Sequence, residues 1–116
     1  MPEVAITKAF KFEAAHVLPM HPGKCSRVHG HSYRLEVTVT GPLSDDGMIL
    51  DFDVLSDRVH QAVIDRLDHR MLNDLVENPT VELLALTCWD WLIAAQVTPS
   101  RLTLHETATN SATVTP

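Results

Sequence analysis

Along "VAITKAFKFEAAH" the even positions Val4, Ile6, Phe10, Phe12 and Ala14 are apolar, Lys8 excepted, while the odd positions are largely small or charged. A period of two sends alternate side chains to opposite faces, so the segment predicts a strand with one buried face. "SYRLEVTVTG" repeats the pattern, with Tyr33, Leu35, Val37 and Val39 on one face and Arg34, Glu36, Thr38 and Thr40 on the other. Gly41-Pro42 ends it. The turn signal "SDDG" then precedes a short apolar run, "MILDF", which predicts a third strand or a strand extension.

The period changes near residue 53. Apolar residues at 55, 59, 62, 63 and 67 follow a helical repeat and predict a helix from about Asp53 to Leu67, its first amides capped by Asp51 or Asp53. "ENPT" supplies the next cap, and the apolar set 84, 88, 91, 92 and 95 predicts a second amphipathic helix ending before "VTPS". Alternation returns in "RLTLHET" and runs on through "NSATVTP" as a hairpin or edge strand. Helices grouped between the strands of an antiparallel sheet define an α+β fold, and 116 residues make one domain, 1–116. The second sheet face carries Thr7, Lys11, Glu13, Arg34, Glu36, Thr38 and Thr103, too polar for a dry core. It is expected to face water or to line a wet channel in an assembly.

Composition narrows the function. The net charge is −6 and the basic residues are scattered, which argues against a nucleic-acid partner. The start "MPEVAITKAF" has no signal-peptide pattern and no apolar run approaches the length of a membrane span, so a cytoplasmic chain without membrane partners is expected. Of the two cysteines, Cys88 falls in an apolar helical pattern and Cys25 in a polar loop, which predicts two free thiols, with Cys88 as core filler.

The candidate chemistry gathers in "KCSRVHGHSY", residues 24–33. His29 and His31, two apart on a strand, share the face of Tyr33 and Leu35. His16 has the apolar parity of the first strand and lies at its C-terminal end, so hairpin pairing brings three imidazoles to one rim of the sheet. Three nitrogen ligands leave one position open on a tetrahedral Zn2+, the arrangement of a catalytic site. His21 or Cys25, in the loop between the strands, is placed to close the shell. Lys24, Arg27 and a nearby cation favour a Cys25 thiolate, which suits a base or nucleophile as well as a ligand. A cupin's H-x-H plus Glu fits less well, since Glu36 has the wrong parity and two helices interrupt the strands.

Two more positions carry candidate chemistry. Asp68 and His69 stand where the first helix should end; adjacent helical residues do not face each other, so the pair either requires a break in the helix or serves different partners. Glu106 shares the apolar face of Leu102 and Leu104, where a carboxylate either reaches water at the strand end or takes a ligand with two parallel N–H groups.

The segments "FEAAH", "HPGKCSRVHGHSY", "GMILDF", "LDHRMLN", "NPTVE" and "HET", in that order, resemble the 6-pyruvoyltetrahydropterin synthase and 6-carboxytetrahydropterin synthase family from end to end. The resemblance implies a tunnelling fold: a four-stranded antiparallel sheet with two helices on one face, trimers closing a barrel, and a hexamer formed as a dimer of trimers with sites between subunits. It implies zinc on His16, His29 and His31, Cys25 as general base, and Asp68 and His69 completing the proton-transfer set for a neighbouring chain's Cys25. Glu106, with Thr107 beside it, is implied to bind the pterin. The implied substrate is 7,8-dihydroneopterin triphosphate. One branch of the family keeps a pyruvoyl side chain; the other releases acetaldehyde and leaves 6-carboxytetrahydropterin for deazapurine and queuosine synthesis. Only three residues separate Cys25 from His29, a compact spacing that resembles the carboxy branch, with the pyruvoyl branch or a non-catalytic pterin-binding homologue as alternatives.

Overall fold

The computed structural model describes residues 2–116, and Met1 lies outside them. Strands β1 (Ala5–His16) and β2 (His29–Thr40) pair antiparallel over their whole lengths, from Ala5 opposite Thr40 to His16 opposite His29. The register follows from the alternation: it puts Phe10, Phe12, Tyr33, Leu35 and Val37 on one buried face and Lys11, Glu13 and Arg34 in solvent. A slip of one residue would turn the apolar set of one strand to the solvent face.

The sheet has five strands in the order β3-β1-β2-β4-β5, not the four antiparallel strands that the resemblance implies. β4 (Arg101–His105) and β5 (Ser111–Val114) form the expected hairpin, antiparallel to β2. The unexpected strand is β3 (Arg70–Met71), two residues that run parallel to β1 at Ala14 and Ala15 and make the sheet mixed. A parallel pairing this short leaves no periodic signal, because its hydrogen bonds are fixed by where the preceding helix ends.

"MILDF" is also not a strand. Ser44 N donates to Met48 O and Gly47 N to Ser44 O in a turn with Gly47 at φ 83°, which uses groups that a ladder would need. Asp51 caps α1 (Phe52–Val59), its carboxylate accepting from Asp53 N at 2.7 Å.

The first helical rod runs on through a π-turn (His60–Ile64) into α2 (Asp65–Leu67). Ala62, Val63 and Ile64 are all buried, and three consecutive residues cannot share one ideal α-helical face. The wider turn, in which Asp65 N donates to His60 O, rotates the apolar stripe enough to bury all three. α3 (Val81–Ala94) is capped by Thr80 and buries Leu84, Ala85, Cys88 and Leu92. Both rods pack on the apolar sheet face in one core, and Cys88, a free thiol pushed up to about 12 by burial, is inert filler as its pattern predicts. Among the described residues no helix is long and apolar enough to cross a membrane.

Candidate metal centre and proton-transfer pair

β1 and β2 end beside each other with His16 opposite His29 and Ala14 opposite His31, so the pairing brings the three imidazoles together as parity predicts. Their ligating nitrogens lie within 4.8 Å of one another, and the rings pack edge to face with centroids 4.5 to 5.0 Å apart. His16 is 1% exposed, the most deeply buried of the three imidazoles.

Backbone carbonyls set the tautomers. His16 Nδ1 donates to Pro79 O at 2.9 Å and His29 Nδ1 donates to Arg27 O at 2.8 Å, since a carbonyl only accepts. Both rings therefore turn Nε2 lone pairs inward, and those two nitrogens stand 2.9 Å apart. Facing lone pairs repel unless a positive charge sits between them. A shared proton would relieve that contact, but it leaves His31 Nε2 buried with no hydrogen-bond partner. Burial holds the His31 imidazolium below its ordinary pKa, and the two neighbouring imidazoles add to the drop against an opposing effect of Glu106. Three neutral nitrogens aimed at one point, two of them oriented by carbonyls, fit a divalent cation with an open fourth position.

His21 and Cys25 do not close that shell. His21 Nδ1 accepts from Gly23 N at 3.0 Å, and Cys25 sits half-buried in a short 3-10 turn (Lys24–Ser26) outside the cluster of converging ligand atoms. Glu106 does reach the cluster. Its two oxygens lie 4.0 Å from His16 Nε2 and 3.9 Å from His31 Nε2, beyond hydrogen bonding but in the first layer around the imidazoles. Thr107 is committed to the β4–β5 turn, where its hydroxyl oxygen accepts from Asn110 N at 3.0 Å.

The helix breaks where the Asp–His pair requires it. Asp68 leaves the helical region at ψ 129° and His69 takes φ 60°, which lets His69 Nδ1 meet Asp68 Oδ1 at 3.0 Å. The Glu13 amide donates to the same Asp68 oxygen at 2.9 Å and is the largest single cause that holds the carboxyl below its usual range, with His69 adding to it. His69 is 79% exposed and lines, with Glu13, Gly30, Ser32 and Arg70, an open cleft of about 530 Å3 on the polar sheet face.

Three supporting groups escaped the sequence reading: the carbonyls of Pro79 and Arg27, and the side chain of Asn73, which bonds both backbone groups of Val17. The two asparagines and single proline of "LDHRMLNDLVENPT" are the only signal there, and they name no partner.

This α+β fold with a three-histidine centre has well-defined relatives. The family model described as 6-pyruvoyl tetrahydropterin synthase matches residues 5–116, and the chain belongs to that family. A 6-carboxy-5,6,7,8-tetrahydropterin synthase of Synechocystis is 45% identical over 96 residues, covering 77% of this chain and 71% of the relative. A dihydroneopterin monophosphate aldolase of Pyrococcus furiosus is 40% identical over 75 residues, 65% of this chain and 62% of its own length. Among solved structures, the 6-pyruvoyl tetrahydropterin synthase of Caenorhabditis elegans superposes with a TM-score of 0.87 at 28% identity, covering 100% of this chain and 97% of that one.

Proposed function

We propose that the chain is a zinc-dependent lyase that converts 7,8-dihydroneopterin triphosphate and one water to 6-carboxy-5,6,7,8-tetrahydropterin, releasing acetaldehyde and triphosphate. The observation that carries this reading is the convergence of three imidazole nitrogens with His31 Nε2 buried and unpartnered. His16, His29 and His31 would hold the zinc, which when bound supplies a Lewis acid for the hydroxyls of the substrate side chain. Cys25 takes a proton from the side-chain carbon, and the Asp68–His69 pair moves protons to and from that thiol. Because His69 points outward, the pair is suited to the Cys25 of a neighbouring subunit, in a hexamer built as a dimer of trimers.

Glu106, with Thr107 beside it, is assigned to the pterin: its carboxylate, which stands near His16 and His31, accepts from the 2-amino and N3–H groups of the ring.

The carboxy product is favoured by the three-residue spacing between Cys25 and His29 and by the Synechocystis relative. The C. elegans neighbour favours the runner-up, elimination of triphosphate with the pyruvoyl side chain kept. Anaerobic incubation of zinc-loaded protein with dihydroneopterin triphosphate, followed by mass analysis, separates them: acetaldehyde with carboxypterin is expected, and a pyruvoyl product moves the assignment to the runner-up. No turnover by metal-loaded protein would leave a pterin-binding homologue. Cys25→Ala is expected to keep zinc and lower turnover by about 10²- to 10⁴-fold. His29→Ala is expected to lose the metal itself.

A further inference from the structure

The segment between α2 and α3 is fastened along the end of β1 at every step. Asp68 Oδ1 accepts from Glu13 N and His69 N donates to Glu13 O; Arg70 and Met71 then pair with Ala14 and Ala15. There the backbone turns off into a 3-10 turn (Leu72–Asp74). The next rung is supplied by a side chain: Val17 N donates to Asn73 Oδ1 at 2.9 Å, and Asn73 Nδ2 donates to Val17 O at 2.9 Å. A carboxamide presents one donor and one acceptor side by side, so it copies a peptide and extends the ladder by one residue after the strand has ended. Val17 directly follows His16, the most deeply buried of the three imidazoles, at the point where β1 gives way to a loop.

We propose that Asn73 is a positioning residue for the metal centre: its carboxamide holds the peptide that follows His16, so that the imidazole meets Pro79 O through Nδ1 and presents Nε2 to the cation. A β-strand frays at its last residue, where no further rung restrains φ and ψ. His16 is the last residue of β1, and the Asn73 clamp removes that freedom. The same strap carries Asp68 and His69, so the imidazole that binds metal and the pair that moves protons are registered on one strand, fixed at Glu13 by Asp68 and at Val17 by Asn73. Asn73 touches neither metal nor substrate in this arrangement; it acts through His16.

This inference rests on the three-histidine metal reading and is tested apart from turnover. The dissociation constant of Zn2+ or Co2+ is measured on the metal-stripped chain by competition with a chromophoric chelator, together with the melting temperature of each stripped variant. Asn73→Ala is expected to weaken metal binding about tenfold, the lower end for groups that orient ligands from outside the shell. Asn73→Asp keeps the acceptor for Val17 N but sets a carboxylate oxygen against Val17 O, breaking the clamp by repulsion rather than by truncation; it is the second variant should the alanine chain fold poorly, and it too is expected to weaken binding. Thr7→Val removes the Thr7–Thr38 hydroxyl bond near the far end of β1, 2.7 Å in length, and is expected to leave metal affinity unchanged. Wild-type affinity in both Asn73 variants, or an equal loss in Thr7→Val, would overturn the positioning role while the metal reading stands. A wild-type chain that binds neither ion defeats both.

Discussion

Near one end of β1 stand two sets of imidazoles in opposite circumstances. His16, 1% exposed, is packed against His29 and His31 at the paired ends of β1 and β2, its Nδ1 fixed by a carbonyl. His69, 79% exposed, is held by a carboxylate neighbour on backbone at φ 60°. Under the proposed function, the contrast follows from what each chemistry demands. Metal coordination tolerates errors of about 0.2 Å in ligand distance, so its ligands must be fixed by one chain's own core. Proton transfer with a neighbouring subunit needs access, and the exposure of His69 is what that proposed role requires. An Asp–His contact this exposed adds little stability because water screens it, while a non-glycine residue in the left-handed region costs on the order of 1 kcal/mol. The pair therefore returns little stability for the strain it holds, which points to use rather than scaffolding.

The largest effect that could break this comparison is a loss of turnover that heals on mixing. His69→Ala is expected to keep its metal and lower turnover by about 10²-fold or more. If the exposed pair serves a neighbour, chains of His69→Ala and Cys25→Ala refolded together should regain about a quarter of the wild-type rate, the share of two-chain sites drawing an intact group from each parent under random mixing. Mixtures as inactive as their parents would show that Cys25 and His69 of one chain act together, and the division between an inward and an outward half of the site would fall.

The inward half was the more legible in sequence, because strand parity is a local rule. The alternation of β1 and β2 fixes which face His16, His29 and His31 share, and a full-length hairpin leaves one register. The two helices and the β4–β5 hairpin followed from periodicity in the same way. The outward half was hidden. Residues 68–73 have no period, and their course along β1 is set by bonds to Glu13 and Val17, more than fifty positions away in sequence. "MILDF" misled for a related reason: its apolar run fits a strand, but Asp51 is better used as a helix cap and Ser44 pairs with Met48. Glu106 was read correctly as a carboxylate on the apolar side; only the structure showed that the imidazoles are its neighbours.

A smaller effect sharpens the difference between a buried atom awaiting a ligand and one merely buried. The Tyr33 hydroxyl, like His31 Nε2, is buried with no partner, and burial together with Glu106 raises its pKa. Its ring is stacked on Phe12 at 4.9 Å and 4°. A buried unpaired hydroxyl costs about 1–3 kcal/mol, so Tyr33→Phe is expected to hold or raise the melting temperature of the metal-stripped chain, by up to about 4–8 °C per kcal/mol recovered. A clear fall would mean that this hydroxyl has a partner and belongs with the site. Substitution of His31, in contrast, should act on metal affinity.

The smallest effect concerns the charge of the exposed pair. Asp68 is held below its ordinary pKa first by the Glu13 amide and then by His69, so the folded state binds its proton less readily than the unfolded state does. The stabilisation this gives is complete above the unfolded value of about 3.9 and is lost as pH falls through that value towards the lower folded one. Asp68→Asn keeps an oxygen for the Glu13 amide and removes only the charge. Wild type should therefore melt slightly higher than Asp68→Asn at pH 7 and at pH 5, and the gap should close below about pH 4. Comparing metal-stripped chains at each pH cancels the protonation of the three-histidine cluster, which both share. A gap that persists unchanged at pH 3 would trace the difference to geometry at the helix end, and the Asp68 charge would then lose its link to the strap that carries it.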